Sequence, residues 1–529
     1  MTRIDPIDLD RLDLDGIRVG ELRDRPVTVL GLARSGLALA RFFADAGARV
    51  TVYDGRPAAA LAEAIAELGG RRVTLALGPD VDPALTWAGA ALVATSPSIT
   101  PDYPTTEPRL RAALGALVDG RAGGDPTVPA LVSEADLFLR LSPSPTIGVT
   151  GTKGKTTTSS LIAALLAADP AHPVVLGGNI GVPIVERLFE LTPEHRVVDE
   201  LSELQLPTLS RGTTVAVYTN VTSDHLDRHG SLAGYRRVKR RLAELVDPDG
   251  ALILNEEDPI VASYSDATSA RTIRYRRDQP LPGGLGVVDG WIVADGMERL
   301  ALVGGGLVAA GPGGRVMPTD ELAIPGAHNI SNALAAMAAG LAFGVAPDAI
   351  RAAAAGFTGV EHRLESVALV DGVRFINDSQ GTQPDAVAAA LRAFEPPIVL
   401  IAGGRDKGID LDALAPVVAE RAVAAVLIGE SGPTLEASFR AAGLARTERA
   451  EDLDAAVRRA DAIAREALGS GGWGRGPGAG PATVLLSPAA ASFDMFVDYA
   501  ARGRAFKASV AALTAERAGG RSPEPRGDR

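Results

Sequence analysis

A short strand, a glycine–lysine loop and a helix follow one another in residues 146–166. The loop reads Gly151-Thr152-Lys153-Gly154-Lys155-Thr156-Thr157-Thr158. Glycines let consecutive backbone N–H groups curl around a phosphate, and the N-terminus of the following helix adds its dipole. Lys155 can reach the β- and γ-phosphates of a nucleotide, and the Thr156 hydroxyl can bind Mg²⁺. The segment therefore predicts an ATP site between a strand and a helix.

This loop is a shorter variant of the general phosphate-loop pattern. The general pattern needs a glycine five residues before Gly154, and this chain has Val149 there. A tight glycine turn that only opens a helix is the alternative interpretation. The Gly-Lys-Thr-Thr run in a strand–helix context favours nucleotide binding.

Alternating strands and helices on both sides of the loop predict an α/β protein of three consecutive domains. The 529 residues are too many for one ordinary domain, and a doubly wound parallel sheet fits each segment. The predicted domains are a Rossmann-like domain at 1–132, a central P-loop ATPase-like domain with a parallel sheet at 133–358, and a C-terminal Rossmann-like domain at 359–515. Residues 516–529 are predicted to be a disordered tail.

Composition excludes several classes of function. A formal net charge of −12 disfavours a nucleic-acid partner bound by bulk electrostatics. The absence of cysteine removes disulfides, thiol nucleophiles and cysteine zinc sites. No uncharged apolar run reaches the roughly 18 residues that a membrane span needs, and residues 1–16 lack the apolar centre of a signal peptide. We therefore expect a cytoplasmic, monomeric enzyme without nucleic-acid or membrane partners.

The N-terminal segment carries a degraded dinucleotide fingerprint, Gly31-Leu32-Ala33-Arg34-Ser35-Gly36. Ala33 stands where the second glycine belongs, and Asp54 ends the second strand, where a dehydrogenase would bind ribose. This pattern alone indicates an NAD enzyme, although a plain tight turn explains it about as well.

The phosphate loop, together with a series of later motifs, resembles the Mur ligase family of peptidoglycan synthesis, and its glutamate-adding members in particular. The resemblance runs from residue 27 to residue 510 in the order of the family's motifs. Each motif is weak alone, but the ordered set is specific. The motifs are 151–158, Gly177-Gly178-Asn179-Ile180-Gly181, Glu200-Leu201-Ser202, 220–230 (NVTSDHLDRHG), Lys239, 325–332 (PGAHNISN), Glu361-His362-Arg363 with Glu365, Asn377-Asp378-Ser379, 403–407 and Leu486-Ser487-Pro488.

The resemblance implies an ADP-forming acid–amino-acid ligase that uses ATP and two Mg²⁺ ions. The γ-phosphoryl group would move to the terminal carboxylate of UDP-N-acetylmuramoyl-L-alanine. The amine of glutamate, expected as the D-isomer, would then attack the acyl phosphate and expel phosphate. Such catalysis depends mainly on positioning and charge neutralisation.

The resemblance also implies which residues carry the reaction. Its reacting groups would be Lys155, Asn179, His225 and Lys239. Its ATP site would be formed by Gly151, Thr152, Lys153, Gly154, Lys155, Thr156, Thr157, Asn332, Arg363 and Asp378. Because Arg363 belongs to the third domain, ATP would close the gap between two domains.

Metal ligands are expected around Glu200, which ends a predicted strand, and His225, which lies in a polar loop. A lone histidine is more often structural, but four of the six histidines fall inside the motifs. Residues 235–241 form a basic helical face, and a solvated surface is the natural interpretation of most of its arginines. The resemblance implies that Lys239 is carbamoylated there and binds a second Mg²⁺. The implied metal set is Thr156, Glu200, His225 and Lys239 as its carbamate.

Two further sites follow from the resemblance. The UDP part of the sugar donor would contact Ser35, Asp54, Arg56 and Ser96, and the amino acid would contact Thr382, Lys407, Ser492 and Tyr499. The sequence departs from the family at Gln380-Gly381-Thr382-Gln383, where Lys-Ala-Thr-Asn is usual, and at Ser202-Glu203-Leu204-Gln205, where Ser-Ser-Phe-Gln is usual. Gln380 removes a cation near a dicarboxylic substrate, so the sequence leaves open D-glutamate, L-glutamate or another amino acid.

Three alternatives remain at this point. Another Mur or folylpolyglutamate-type ligase is the nearest, but folate ligases lack a separate N-terminal UDP domain. A non-catalytic nucleotide-binding regulator would not need Lys407 and Thr382. An NAD-dependent oxidoreductase leaves the phosphate loop unexplained.

Overall fold

The computed structural model describes residues 5–180, 182–222, 231–296, 312–324, 326–405, 411–469 and 480–520. The chain forms two compact units, Met1–Phe357 and Thr358–Arg529. The first unit contains two β-sheets and the second contains one. The prediction of an α/β protein built on parallel sheets is confirmed.

The N-terminal sheet is five-stranded and parallel, in the order β3-β2-β1-β4-β5. Its strands are β1 (Pro26–Leu30), β2 (Arg49–Asp54), β3 (Val73–Leu77), β4 (Leu92–Thr95) and β5 (Ala130–Ser133). Its helices are α1 (Leu14–Arg18), α2 (Arg34–Asp45), α3 (Ala62–Glu67), α4 (Pro83–Thr86) and α5 (Pro108–Ala122), with a 3₁₀ turn at Ala58–Leu61. The strand order reverses between β1 and β4, so the carboxyl ends of these strands border a crevice suited to a ligand.

The central sheet has the order β14-β13-β12-β11-β10-β9-β6-β8-β7. Its strands are β6 (Thr146–Thr150), β7 (Val174–Gly178), β8 (Arg196–Glu200), β9 (Val215–Tyr218), β10 (Ala251–Asn255), β11 (Arg271–Tyr275), β12 (Leu285–Val288), β13 (Trp291–Ala294) and β14 (Arg315–Pro318). Its α-helices are α6 (Glu134–Leu141), α7 (Lys155–Leu166), α8 (Leu232–Leu245), α9 (Pro259–Ala262), α10 (Ala327–Ala342) and α11 (Pro347–Gly356). Short 3₁₀ turns lie at Ile184–Glu190, Leu206–Thr208, Ser263–Asp266, Pro312–Gly314 and Thr319–Glu321.

The middle strands of the central sheet are buried along their whole length, as in β6, β8, β9 and β10. Helices α7 and α10 cover one face through aliphatic side chains such as Leu165 and Met337, and α8 covers the other through Leu242. Apolar runs without alternation are typical of parallel strands covered on both faces. The carboxyl edge of β8, β6 and β9 is thereby held rigid, and the predicted phosphate loop leaves from this edge.

The C-terminal sheet has the order β15-β16-β20-β17-β18-β19. Its strands are β15 (Glu365–Val370), β16 (Val373–Asn377), β17 (Ile398–Gly403), β18 (Ala422–Ile428), β19 (Thr447–Arg449) and β20 (Ala482–Leu486). Its helices are α12 (Pro384–Arg392), α13 (Ala415–Arg421), α14 (Gly432–Ala441), α15 (Leu453–Gly469) and α16 (Tyr499–Gly520). Two apolar clusters, one on each face, sandwich the sheet.

Purely parallel sheets were predicted, and this is wrong at two edges. Strands β12, β13 and β14 pair antiparallel, and so do β15 and β16. The reason lies in two tight turns with positive φ at both central residues, Asp289-Gly290 (49° and 76°) and Asp371-Gly372 (49° and 82°). Asp-Gly in this conformation matches the twist of a two-residue hairpin, which reverses the chain.

The predicted start of a disordered tail at residue 516 is also wrong. Helix α16 continues to Gly520, and two side chains of its last turns are anchored on α15. Glu516 accepts hydrogen bonds from Arg458 at 2.7 and 2.9 Å, and Arg517 pairs with Asp461. Residues 521–529 lie outside the described part of the chain.

No helix in the described ranges is long and apolar enough to cross a membrane.

Packing of the C-terminal sheet gives a direct test of the fold. Phe375 on β16 is fully buried, whereas Leu369 on the paired strand β15 is 66% exposed. Phe375→Ala should lower the free energy of unfolding by about 3–5 kcal/mol. Leu369→Ala, the matched control, should change it by no more than about 0.5 kcal/mol. Urea unfolding followed by circular dichroism checks both, and equal effects would contradict the packing.

Candidate active site

The predicted phosphate loop forms a tight turn between β6 and α7. Gly151 has φ 152°, and a Cβ built there would lie 1.9 Å from Thr219 Oγ1. Gly154 has φ 85°, and its Cβ would lie 2.6 Å from Asn332 Oδ1. Both positions therefore require glycine, for space and for conformation. Helix α7 begins at Lys155 without a side-chain cap, which leaves its N-terminus available to an anion.

Residues beyond β9 hold this loop in place. The Thr152 N–H donates to Asn220 O at 2.7 Å, and the Lys153 N–H donates to Asn220 Oδ1 at 2.9 Å. Thr219 Oγ1 in turn donates to Lys153 O at 2.7 Å. Sequence reasoning did not predict that Thr219 and Asn220 hold the loop. Its one signal for this role was that Asn220 is the first residue of one of the motifs.

Two lysine side chains converge on one backbone oxygen of the loop. Lys155 Nζ donates to Gly151 O at 3.1 Å and to Thr152 O at 3.0 Å. Lys239 Nζ, from α8, donates to the same Gly151 O at 3.1 Å and to Thr150 Oγ1 at 3.1 Å. Lys239 is fully buried, whereas Arg237 of the same basic stretch is exposed. Like charges this close create a strong local attraction for anions.

Asn332, expected at the nucleotide, lies against the same loop. It is buried on α10, its Oδ1 accepts from Thr158 Oγ1 at 3.3 Å, and its Nδ2 donates to Asn329 Oδ1 at 3.0 Å. The structure thus brings together Gly151, Thr152, Lys153, Gly154, Lys155, Thr156, Thr157 and Asn332 of the predicted ATP site.

Glu200 and Asn179 meet at the neighbouring strand ends. Glu200 is the last residue of β8 and is buried. Its Oε1 accepts from Asn179 Nδ2 at 2.9 Å, and its backbone oxygen accepts from the Asn179 N–H at 2.8 Å. Glu200 Oε2 is buried and has no hydrogen-bond partner among the described residues. A buried carboxylate oxygen left unsatisfied is costly, and a hard cation such as Mg²⁺ would satisfy it.

The other expected metal ligands are only partly placed. Thr156, Glu200 and Lys239 belong to elements that meet at the carboxyl edge of β6 and β8. His225, like His229, lies outside the described residues. Within the ranges given above, no three His, Cys, Asp or Glu side chains gather as a metal cluster.

Asp199, which precedes Glu200, was not singled out in the sequence. It is fully buried, and neither carboxylate oxygen has a partner in the described part of the chain. Burial first, and then the charges of Glu134 and Glu200, raise its pKa well above the usual value. Burial likewise raises the pKa of Glu134 to about 7. Burial thus favours the neutral form of Asp199, the residue directly before Glu200 in β8.

The predicted UDP site lies at the switch point of the N-terminal sheet. Leu30 is in register with both Tyr53 and Thr95, so the turn after β1, Asp54 and Ser96 follow adjacent strands. Ser35 lies in the first turn of α2, and Ser96 Oγ is 3.1 Å from Ser98 Oγ. These residues share one edge of the sheet.

Asp54 is already engaged within the protein. Its Oδ2 accepts from the Leu32 N–H at 2.8 Å and from Arg56 Nη2 at 2.7 Å, while Oδ1 accepts from Arg56 Nε at 3.0 Å. Burial opposes ionisation, but the Arg56 side chain and the N–H groups of Arg56 and Leu32 outweigh it and lower the pKa of Asp54. Asp54 thus braces the glycine turn, and its direct contact with a substrate stays a prediction.

In the second unit, Arg363 and Asp378 come close at the end of β16. Arg363 is flanked by His362 and Leu364, which have φ of 65° and 45°. The Leu364 N–H donates to Asp378 Oδ1 at 3.1 Å, and Ser487 Oγ donates to Asp378 Oδ2 at 2.6 Å. Residues other than glycine adopt positive φ at a cost, so this local backbone is held in place by its contacts.

Three loops meet near the predicted amino-acid site of the second unit. Thr382 follows β16, Ser492 follows β20 and is buried, and Tyr499 opens α16 with 37% exposure. Arg405, after β17, donates its N–H to Ala491 O at 2.9 Å. Lys407 lies outside the described residues.

Sequence reasoning missed Arg502, a buried cation beneath these loops. It donates to Ser379 Oγ at 3.0 Å, Ser379 O at 2.9 Å and Ala490 O at 3.1 Å. Burial lowers its pKa to about 10. No local motif marks this residue, because its partners are remote in sequence.

A glycine loop that enters a helix beside two lysines and a buried carboxylate defines a nucleotide-binding α/β protein. Two family models match the chain: "Mur ligase middle domain" over residues 149–340 and "Mur ligase, glutamate ligase domain" over residues 362–469. The chain is 38% identical to UDP-N-acetylmuramoylalanine–D-glutamate ligase of Symbiobacterium thermophilum, over 93% of this chain and 99% of that protein. It is 38% identical to the protein of that name from Pelotomaculum thermopropionicum, over 92% and 98%, and 36% identical to that of Desulfitobacterium hafniense, over 92% and 98%. The chain belongs to the Mur ligase family.

The buried carboxyl of Asp378 makes the second unit sensitive to pH. Burial raises its pKa from the ordinary 3.8 to about 6, against the hydrogen bonds from Ser487 and Leu364. The folded state therefore holds a proton that the unfolded state has lost between pH 4 and 6, and this contribution to stability falls as the pH rises through that window. Asp378→Asn cannot ionise. Relative to wild type, the variant should be more stable at pH 7 than at pH 4, by on the order of 1–3 kcal/mol. Urea unfolding of both proteins at pH 4 and pH 7 checks this. The same stability difference between variant and wild type at both pH values would contradict it.

Proposed function

We infer that this chain is an ATP-dependent ligase that joins D-glutamate to UDP-N-acetylmuramoyl-L-alanine in peptidoglycan precursor synthesis. The observation that carries the proposal is the group of Lys155, Lys239, Asn179 and Glu200 at one edge of the central sheet. The relatives reported above, matched over more than nine-tenths of the chain, support the same reaction. A nucleotide-linked sugar and ATP as substrates place the proposed reaction in the cytoplasm.

The phosphate loop serves to bind and orient ATP. Backbone N–H groups at the start of α7 and the Lys155 ammonium face the place where the phosphates would lie. Anionic phosphates would be attracted by the Lys155 ammonium, and while Lys239 is unmodified they would also relieve the repulsion between the two lysines. Charge neutralisation of this kind favours phosphoryl transfer, because negative charge accumulates on the transferred oxygens.

Glu200 Oε2 and the Thr156 hydroxyl are the described groups that would hold Mg²⁺, with His225 as a further proposed ligand. When bound, Mg²⁺ would neutralise phosphate charge and polarise the γ-phosphoryl group. Asn179 fixes the Glu200 carboxylate by its hydrogen bond to Oε1. Carbamoylation of Lys239, proposed from the family, would remove one of the two converging cations and supply a second metal ligand.

The proposed reaction has two balanced steps. A carboxylate oxygen of the L-alanyl group attacks the γ-phosphorus of ATP, and the bond to the β–γ bridging oxygen breaks to release ADP. The amine of glutamate then attacks the acyl carbon, loses a proton, and the carbon–oxygen bond to phosphate breaks. The amide product, ADP and phosphate result. Lys155 and Asn179 would stabilise and align these groups without forming a covalent bond to the substrates.

The three segments divide these tasks in the proposal. Residues 1–132 would form a Rossmann-like donor domain with Ser35, Arg56 and Ser96 near the UDP group. Residues 133–358 would form the P-loop-type ATP domain. Residues 359–515 would bind the amino acid through Thr382, Lys407, Ser492 and Tyr499, and would bring Arg363 and Asp378 to the nucleotide.

Lys155 provides the sharpest test of the phosphate loop. Lys155→Ala removes the ammonium that spans Gly151 and Thr152, and should lower kcat by about 100- to 1,000-fold or more. Arg72→Ala is the control, since Arg72 is an exposed cation that belongs to none of the predicted sites. The control should stay within about twofold of wild type. Circular dichroism verifies folding, and wild-type ligation by a folded Lys155→Ala variant would refute the loop's role.

The identity of the amino acid is testable because Gln380 replaces the usual lysine of the family. Phosphate release with UDP-N-acetylmuramoyl-L-alanine should be stimulated by D-Glu at least about 100-fold more than by L-Glu, D-Asp or meso-diaminopimelate. The proposed site pairs with both carboxylates of D-Glu in one geometry. When the wrong isomer binds, some polar groups of the site lose their partners, which weakens binding of the transition state. The reaction without amino acid gives the baseline. Stronger stimulation by another member of the panel would reassign the substrate.

A further inference from the structure

Helix α2 of the N-terminal sheet holds the segment that follows β7 at two places. At its first residue, Arg34 Nη2 donates to Gly178 O at 2.9 Å. Two turns further along, Arg41 pairs with Glu186 at 3.1 Å, and the Phe42 ring stacks on Phe189 with centroids 5.1 Å apart. Arg34 and Arg41 are seven residues apart and so lie on the same face of the helix. The segment carrying Asn179 is therefore clamped against α2.

Arg34 donates its hydrogen bond to the peptide group that joins Gly178 to Asn179. The Gly178 carbonyl and the Asn179 N–H belong to the same peptide plane. The carbonyl accepts from Arg34, and the N–H donates to Glu200 O at 2.8 Å. Hydrogen bonds on both ends of a planar group fix its rotation. Since Asn179 Nδ2 also donates to Glu200 Oε1, the orientation of this peptide sets the orientation of the buried carboxylate.

Gly178 leaves this corner little freedom to adopt another arrangement. Its φ is 91°, and a Cβ built there would lie 2.0 Å from Asp199 Oδ1 and 2.7 Å from Glu200 O. The chain thus makes its turn directly against β8. A peptide packed this closely rotates only if its hydrogen bonds are exchanged, and Arg34 makes the one that comes from outside the central sheet.

Arg34 also adjoins the predicted donor site. It is the first residue of α2, directly before Ser35, at the switch point of the N-terminal sheet. The N-cap of α2 is Ala33, whose side chain makes no capping hydrogen bond, so the helix N-terminus is suited to an anionic group of the donor. Arg34 therefore follows the glycine turn of the proposed donor site in the chain, and its side chain binds the carbonyl next to Asn179.

We propose that Arg34 is a positioning residue that couples the donor-binding turn to Asn179 and Glu200 through the Gly178 peptide. The proposal rests on the proposed function for the identity of the donor and of the reaction. Arg34 remains exposed, so its hydrogen bond adds little to stability and its loss leaves the chain folded. Loss of Arg34 should instead disturb the alignment of the site. Removing a residue that orients a metal ligand typically lowers metal affinity or activity about 10- to 100-fold.

The test compares three variants with wild type. Arg34→Met removes the hydrogen bond. Arg34→Lys keeps the charge, but its ammonium ends one bond short of Nη2, so it restores the contact only in part. Arg41→Met, the matched control, removes the ion pair between α2 and Glu186 and leaves the hydrogen bond to Gly178 in place. Steady-state kinetics give kcat and the KM for UDP-N-acetylmuramoyl-L-alanine. Hydrogen exchange of residues 174–180, measured without ATP or Mg²⁺, reports the Asn179 amide directly.

For Arg34→Met we expect kcat to fall by about 10- to 100-fold while KM changes less than about threefold. Its 174–180 amides should exchange faster, and donor added alone should slow exchange there in wild type but not in this variant. Arg34→Lys should be intermediate in kcat and exchange, and Arg41→Met should stay within about threefold of wild type in kcat.

Three results would overturn the proposal: wild-type kcat and exchange in Arg34→Met, a rise in KM alone, or an equal loss of kcat in Arg41→Met. If the wild-type protein binds no donor and forms no product, the proposed function fails. The basal exchange rates of Arg34→Met and wild type still decide whether Arg34 positions the Gly178 peptide.

Discussion

The site depends on two lysine side chains that share one carbonyl oxygen. Lys155 and Lys239 reach Gly151 O from different helices, each at 3.1 Å. Two unmodified lysines so close, one of them fully buried, need oxygen atoms around them, and bound anions or the proposed carbamoylation of Lys239 would relieve their repulsion. The glycine turn brings the carbonyl to them, and the buried parallel strands keep the turn rigid. Glu200 and Asn179 complete the same edge, so the chemistry proposed for the chain follows from one glycine loop and its neighbours.

Local sequence patterns predicted the parts of this site that are local. The loop and the start of α7 follow from glycine spacing, and Glu200 was placed correctly at a strand end. The antiparallel edges were equally visible, since Asp289-Gly290 and Asp371-Gly372 are typical hairpin turns. The prediction of purely parallel sheets missed these edges, because it assumed that a helix joins each strand to the next throughout the chain.

Other features have no local signal. Arg34 meets Gly178 across 144 residues, and Arg502 meets Ser379 across 123. Such contacts depend on how sheets and helices pack, which spacing along the chain does not reveal. Lys239 illustrates the same limit: its neighbours in sequence are arginines of a basic face, yet its own side chain turns inward and is buried. The prediction of Asp54 as a UDP contact comes from the resemblance to the family. Its place at a strand end does not reveal the hydrogen bonds by which Leu32 and Arg56 tie its carboxylate to the glycine turn.

The central claim is that the chain activates a carboxylate as an acyl phosphate before any amino acid reacts. Positional isotope exchange measures this step directly, with ATP labelled by ¹⁸O in the β–γ bridge. In the presence of UDP-N-acetylmuramoyl-L-alanine and Mg²⁺, but without glutamate, reversible cleavage should move the label into the non-bridging positions of the β-phosphate. The label should stay in the bridge when the donor is omitted. A protein that ligates glutamate at full rate yet shows no donor-dependent exchange would contradict the account.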